Sequence, residues 1–205
     1  MSNFATHKPV IEFLLKSRPI SRILETGMGL YSTGAFLESA KELISIEMQN
    51  EEWYQKVKEE FHDHACDFRP LLLLKAEETY SYIEKLKSKS FDMAFIDGNL
   101  DRWRQINYTL DKTDLIVAHD TEATCYFWGL VKLPASWYWV DIIPDHGPWT
   151  AVLTPDTVLV EDLKEHFNCT AYDSKSFENK NYMIYNHNLG LVDMKIHTEK
   201  LEKND

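Results

Sequence analysis

No Cys-x-x-Cys pair occurs in the 205 residues, and the three cysteines, Cys66, Cys125 and Cys169, are scattered and odd in number. A disulfide framework and a structural zinc module are therefore not expected, and isolated thiols fit a reducing compartment. No apolar run approaches the roughly 18 residues of a membrane-spanning helix, and no basic-then-apolar leader is visible. Clusters of Lys or Arg are missing too. The chain carries 22 basic against 33 acidic residues, a formal charge of −11, which repels phosphate backbones and anionic lipid. Internal repeats and low-complexity stretches are absent. The expectation is a soluble cytoplasmic protein that engages neither nucleic acid nor membrane.

What is present is enough apolar material for one core: 44% hydrophobic and 13% aromatic residues. The length suits one α/β domain and not two. We read residues 1–193 as that domain, with 1–19 a helix or lid, 20–155 the core and 156–193 an addition. Residues 194–205 form a charged tail. Within the core, apolar runs at 21–25, 42–47, 71–74, 91–98 and 114–118 alternate with segments of helical period. Runs that are apolar throughout are buried on both faces, as in a parallel sheet. A helix is expected over 121–131, then two aromatic-rich strands at 137–143 and 149–153 separated by Pro144-Asp145-His146-Gly147-Pro148, an antiparallel hairpin at a sheet edge. A helix at 161–167 and an extra strand at 181–185 follow, and an exposed edge at 181–191 suits a homodimer.

The organising stretch is Glu25-Thr26-Gly27-Met28-Gly29-Leu30-Tyr31-Ser32-Thr33. A strand ends in an acid, glycines allow a sharp turn and close ligand approach, and Ser32 or Thr33 opens and caps a helix. Glu47 ends the next strand, about 20 residues on, where an acid that binds ribose hydroxyls belongs. Asp97 and Asp120 end two further strands. Four acids at one sheet edge point to a ligand site, because ligands of open α/β sheets sit beyond the carboxyl ends of the strands.

Together, Glu25-Thr26-Gly27-Met28-Gly29, Glu47, Phe91 to Gly98 and Ala118-His119-Asp120-Thr121 resemble the class I S-adenosylmethionine-dependent methyltransferases, over about residues 5–155. The likeness is greatest to the branch acting on small molecules at oxygen. It implies a Rossmann-like, doubly wound, seven-stranded, mostly parallel sheet with a C-terminal antiparallel hairpin. It also implies S-adenosylmethionine as cofactor and a small-molecule acceptor. By position, Gly27 and Gly29 would lie against the cofactor, with Ser32 and Thr33 at the helix start. Glu25 would hold its methionine end, Glu47 its ribose, and Met48, Ala76 and Glu77 its adenine; Asp97 and Gly98 would face the methionine and the acceptor. Relatives that use a metal hold it with acids at the ends of strands four and five, which would make Asp97 and Asp120, with Glu122, a Mg²⁺ site. Thr121 departs from that pattern, since relatives commonly carry a further acid or amide there. The catalytic set implied is Asp97, Asp120 and His119, the last as a general base.

His7-Lys8-Pro9 could fold over the site. His62-x-His64-x-Cys66 reads as a polar loop and not a metal site. The aromatic clusters at 126–128 and 137–139 read as packing, and Arg102 and Arg104 as a helix start or as contacts to an acidic substrate group. The alternatives are an NAD-dependent oxidoreductase, which a glycine loop followed by an acid also serves, or a non-catalytic binding protein of the same fold. Against NAD stands Ser32, where a third glycine is expected. No P-loop, no Asn/Asp-Pro-Pro-Tyr/Phe motif and no cysteine nucleophile at the sheet edge is present.

Overall fold

Alternate residues of the central strands enter opposite apolar layers, and this is why those strands read as unbroken apolar runs. Leu24, Ile46, Ala94, Ile96, Ile116 and Ala118 share one layer with Trp128 and Trp139. Ile23, Leu43, Met93, Phe95 and Val117 share the other with Val10, Ile11 and Leu14. A sheet buried on both faces needs helices on both. The computed structural model describes residues 5–64, 66, 68–98, 101–178, 183–186 and 190–193.

The elements are α1 (Lys8–Ser17), β1 (Arg22–Thr26), α2 (Ser32–Ser39), β2 (Glu42–Glu47), α3 (Glu51–Glu60), β3 (Leu71–Leu73), α4 (Ala76–Lys85), β4 (Met93–Ile96), α5 (Arg102–Thr109) and β5 (Ile116–His119). There follow β6 (Tyr138–Ile142), β7 (Thr150–Thr154), α6 (Thr157–His166), β8 (Cys169–Asp173), α7 (Ser174–Glu178), β9 (Met183–Asn186) and β10 (Gly190–Asp193). The main sheet runs β3-β2-β1-β4-β5-β7-β6-β8. Strands β1 to β5 are parallel, while β7, β6 and β8 join antiparallel. Strand order reverses between β1 and β4, so the loops after these two strands flank the switch point.

The expected fold class is borne out, with two corrections. The sheet has eight strands and not seven, because Cys169–Asp173 pairs with β6 as an edge strand. Its short, half-exposed sequence offers no apolar run to read. The expected helix over 121–131 is two 3₁₀ turns, Thr124–Tyr126 and Trp128–Leu130. Phe127 between them has φ 54°, a left-handed conformation that no helix continues, while Trp128 is drawn fully into the core. The extra strand appears as β9 and pairs with β10 in a separate two-stranded sheet. The tail at 194–205 lies outside the described residues.

Candidate functional site

The loop after β1 can form only with glycine at position 27. Gly27 has φ +85°, and a Cβ there would lie 2.3 Å from the backbone carbon of Asp97. The loops after β1 and β4 are thus pressed together, tied by the Asp97 N–H to the Thr26 carbonyl at 2.8 Å. Gln105, fully buried on α5, accepts from Thr26 Oγ1 at 2.6 Å and reaches the Met48 sulfur.

A cleft of about 370 Å³ opens at this switch point, lined by Gly27, Met28, Gly29, Glu47, Gln49, Asn50, Trp53, Asp97 and Gly98. Glu47 is fixed within it: its Oε1 accepts the N–H groups of Met48, Gln49 and Asn50 at 3.0, 2.7 and 3.2 Å. None of the described hydrogen bonds engages Oε2, so one acceptor oxygen of a positioned carboxylate remains. The Trp53 indole N–H donates to the Met28 carbonyl at 2.6 Å and holds α3 against the loop.

Glu25 sits beneath this cleft rather than in it. It has no exposed surface; Ser32 donates to its Oε1 at 2.6 Å, and Thr33 and Ser45 donate to its Oε2. Burial pushes its carboxyl up to about 7, against those hydroxyl bonds. The role expected for Glu25, direct contact with a ligand, is therefore corrected: it braces the turn from below. Ser32 and Thr33 likewise do not cap α2, whose N-cap is Tyr31 without a side-chain cap bond. Their hydroxyls serve Glu25, and Thr33 Oγ1 also accepts the Gly29 N–H at 3.0 Å.

Ala76 and Glu77 are not among the residues lining the cleft. They begin α4, and Glu77 is exposed and pairs with Arg104 at 3.3 Å. Met48 is buried behind the cleft, its sulfur toward Gln105.

Beside the cleft, the ends of β4 and β5 converge on a guanidinium. Arg102, 5% exposed, places Nη2 3.0 Å from Asp97 Oδ1 and Nη1 2.8 Å from Asp120 Oδ2. Its N–H groups also donate to the carbonyls of Gly98 and His119, and its carbon lies 3.9 Å from the Tyr126 ring centre. The Asp97–Asp120 pair expected to hold Mg²⁺ already holds this cation, so that expectation is corrected. Glu122 accepts the Trp149 N–H at 2.6 Å and takes no part. Arg102 is an internal bridge, not the exposed substrate contact considered from sequence. Asp120 adopts φ 57° to meet it, a strained backbone of the kind found at functional sites.

His119, buried at the end of β5, has both ring nitrogens engaged. Nδ1 lies 3.2 Å from Asp97 Oδ1 and 3.5 Å from Asp120 Oδ1. Nε2 lies 3.2 Å from Thr6 Oγ1, which donates to the Pro148 carbonyl at 2.6 Å. Burial pushes the Asp97 carboxyl up, but the His119 hydrogen bond and the charges of Arg102, His119 and His7 outweigh it and hold it below its ordinary value. His7 packs edge-on against His119, ring centres 4.5 Å apart, and against Phe95 at 5.2 Å. Both its ring nitrogens are buried, with no hydrogen-bond partner among the described residues. Burial, with His119 beside it, pulls its imidazole down to about 4, so it is neutral at pH 7.

Sequence reasoning did not assign Gln49, Asn50 and Trp53 to the cleft, nor Gln105 and Thr6 to its support. Asn50 carried the one available signal, since an Asn just before a helical segment reads as a cap and does cap α3. By contrast, His62 and Cys66 are exposed, in keeping with a polar loop.

No family model and no curated protein sequence matches the chain. Similarity appears among solved structures. The O-methyltransferase TomG from Streptomyces achromogenes, involved in tomaymycin synthesis and complexed with SAM, is 15% identical with a TM-score of 0.59, covering 73% of this chain and 79% of that one. An O-methyltransferase from Bacillus cereus in complex with SAH is 15% identical with a TM-score of 0.57, covering 73% and 80%. The SAH-bound methyltransferase PaMTH1 from Podospora anserina is 17% identical with a TM-score of 0.53, covering 72% and 77%. The chain therefore shares the Rossmann-like fold of these solved methyltransferases.

Proposed function

We propose that the protein is an S-adenosylmethionine-dependent methyltransferase acting on a small molecule at oxygen. The observation that carries this reading is the cleft at the switch point, where the Gly27–Gly29 turn faces a Glu47 carboxylate held by three backbone N–H groups. A nucleoside fits this arrangement: Glu47 Oε2 accepts from ribose hydroxyls, Met48 backs the adenine, and Asp97 faces the methionine end. Solved proteins of this fold hold SAM or SAH, which supports the same assignment.

NAD fits less well. Its pyrophosphate needs free N–H groups at the start of α2, and there the Gly29 N–H donates to Thr33 Oγ1 and the Thr33 N–H to the Gly29 carbonyl, each at 3.0 Å. The cofactor supplies an electrophilic sulfonium methyl, which bonds to the acceptor oxygen as its bond to sulfur breaks and leaves the electron pair on sulfur. The chain's task is positioning and proton removal. Asp97, Asp120 and His119 stand at the cleft's edge for the second task. Asp97, which lines the cleft, is the first of them that an acceptor hydroxyl meets. Mg²⁺ has no role between Asp97 and Asp120 in this reading, because Arg102 already bridges them.

Thermal unfolding with added ligand tests the reading. S-adenosylmethionine or S-adenosylhomocysteine at about 100 times its dissociation constant stabilises the protein by about 2.7 kcal/mol, and NAD does not. Stabilisation by NAD alone would replace the methyltransferase reading with the oxidoreductase one.

A further inference from the structure

We propose that His7, Asp97 and His119 form a binding site for a first-row transition-metal ion of the Zn²⁺ or Fe²⁺ class. Each offers a ligand atom, and these atoms lie within 4.8 Å of one another. Ligand atoms around such a metal, at bonds of about 2.0–2.1 Å, stand roughly 3–3.5 Å apart, so a small rotation of an imidazole closes the set. Two imidazoles and one carboxylate suit Zn²⁺ and Fe²⁺, where Mg²⁺ prefers oxygen donors and water. The site shares Asp97 and His119 with the proposed methyl-transfer site, and the test below reads metal binding alone, so the two readings fail separately.

Three observations point to a cation there. First, His7 is 7% exposed and neither of its ring nitrogens has a partner among the described residues; burying such a group without a partner is costly, and a metal bond satisfies it. Second, the hydrogen-bond chain around His119 leaves Nδ1 as the ligand atom. Thr6 spends its only proton on the Pro148 carbonyl, so it accepts from Nε2–H. Nδ1 then faces Asp97 Oδ1 at 3.2 Å, where it carries a proton bonded to the carboxylate or, once that proton is released, a lone pair for a metal. The outward N–H of a metal-bound histidine is fixed in the same way by a carbonyl, carboxylate or similar acceptor. Third, charge leaves room: Arg102 offsets one of the two carboxylates Asp97 and Asp120. None of the described hydrogen bonds uses Asp97 Oδ2, the oxygen that would ligate while Oδ1 keeps its pair with Arg102.

The test is a titration of EDTA-treated full-length protein with Co²⁺, followed by the visible absorption that Co²⁺ gains in a nitrogen-containing site. One ion per chain is expected, displaced by Zn²⁺ and not by Mg²⁺. His7→Phe, which fills the same space without ring nitrogens, weakens binding by about 100-fold or more. Thr6→Val, which loosens the support of His119, weakens it by about 10- to 100-fold. The double variant His62→Ala, His64→Ala on the exposed loop binds as the wild type does. Absence of Co²⁺ binding, wild-type affinity in His7→Phe, or loss of binding in the double variant would each overturn the site. The melting temperature of the wild type with and without Zn²⁺ gives an answer that needs no variant: it rises if the site exists and stays put if it does not.

Discussion

Glu25 illustrates how an acid that looks like a ligand from sequence becomes an internal brace. Its three hydroxyl donors suit an ionised carboxylate, yet complete burial raises it from 4.5 to about 7. The folded state therefore keeps the Glu25 proton over a range where the unfolded chain has lost it. Between pH 4.5 and 7 the unfolded state binds fewer protons, so stability falls as pH rises through that window. The shift corresponds to about 3 kcal/mol. Glu25→Gln, neutral throughout, lacks this slope. Urea midpoints at pH 5 and pH 8 are expected to differ less in the variant than in the wild type, and equal differences would show that Glu25 carries no such shift. Single residues of this kind were only partly legible. Glu25 and Gly27 stood out by spacing, whereas the three hydroxyls that turn Glu25 inward come from positions 32, 33 and 45, which no local pattern links.

Elements were legible where their burial is simple. The parallel strands and the hairpin β6–β7 sit between two apolar layers and carry unbroken apolar runs, so composition alone marks them. Strand β8 lies at an edge, half exposed, and the segment after β5 is held by the burial of Trp128 rather than by a helical period; neither has a signature in a single sequence. Helix α5 is the clearest case of hidden meaning. Its first residue, Arg102, reads as an ordinary helix start, but the fold brings it to the acids at the ends of β4 and β5. Removing one partner of a buried ion pair strands the other. Arg102→Met leaves two carboxylates facing each other, and is expected to lower unfolding free energy by about 3–5 kcal/mol, measured by chemical denaturation. A loss below about 1 kcal/mol would mean that the guanidinium does not hold this edge of the sheet.

At the scale of the whole molecule, the strand order places two loops at the switch point, and the contact of Gly27 with the Asp97 backbone makes them one wall of a cleft. The general location of the site was legible, because acids at the ends of apolar runs converge on one sheet edge in any parallel arrangement. Its division of labour was not. Glu47 and Asp97 line the cleft, Glu25 lies beneath it, Asp120 is bound to Arg102 beside it, and Glu77 points elsewhere. That sorting depends on tertiary distances of a few ångströms.

The most direct test of the account is calorimetric titration of S-adenosylhomocysteine into the wild type, Glu47→Ala and Glu77→Ala. If the cleft holds the nucleoside through Glu47, the wild type binds one ligand per chain and Glu77→Ala binds equally well. Glu47→Ala then loses about 2 kcal/mol, roughly 30-fold in affinity, as expected for hydrogen bonds to a charged group. Equal binding by Glu47→Ala, or no binding by the wild type, would contradict the assignment of this cleft.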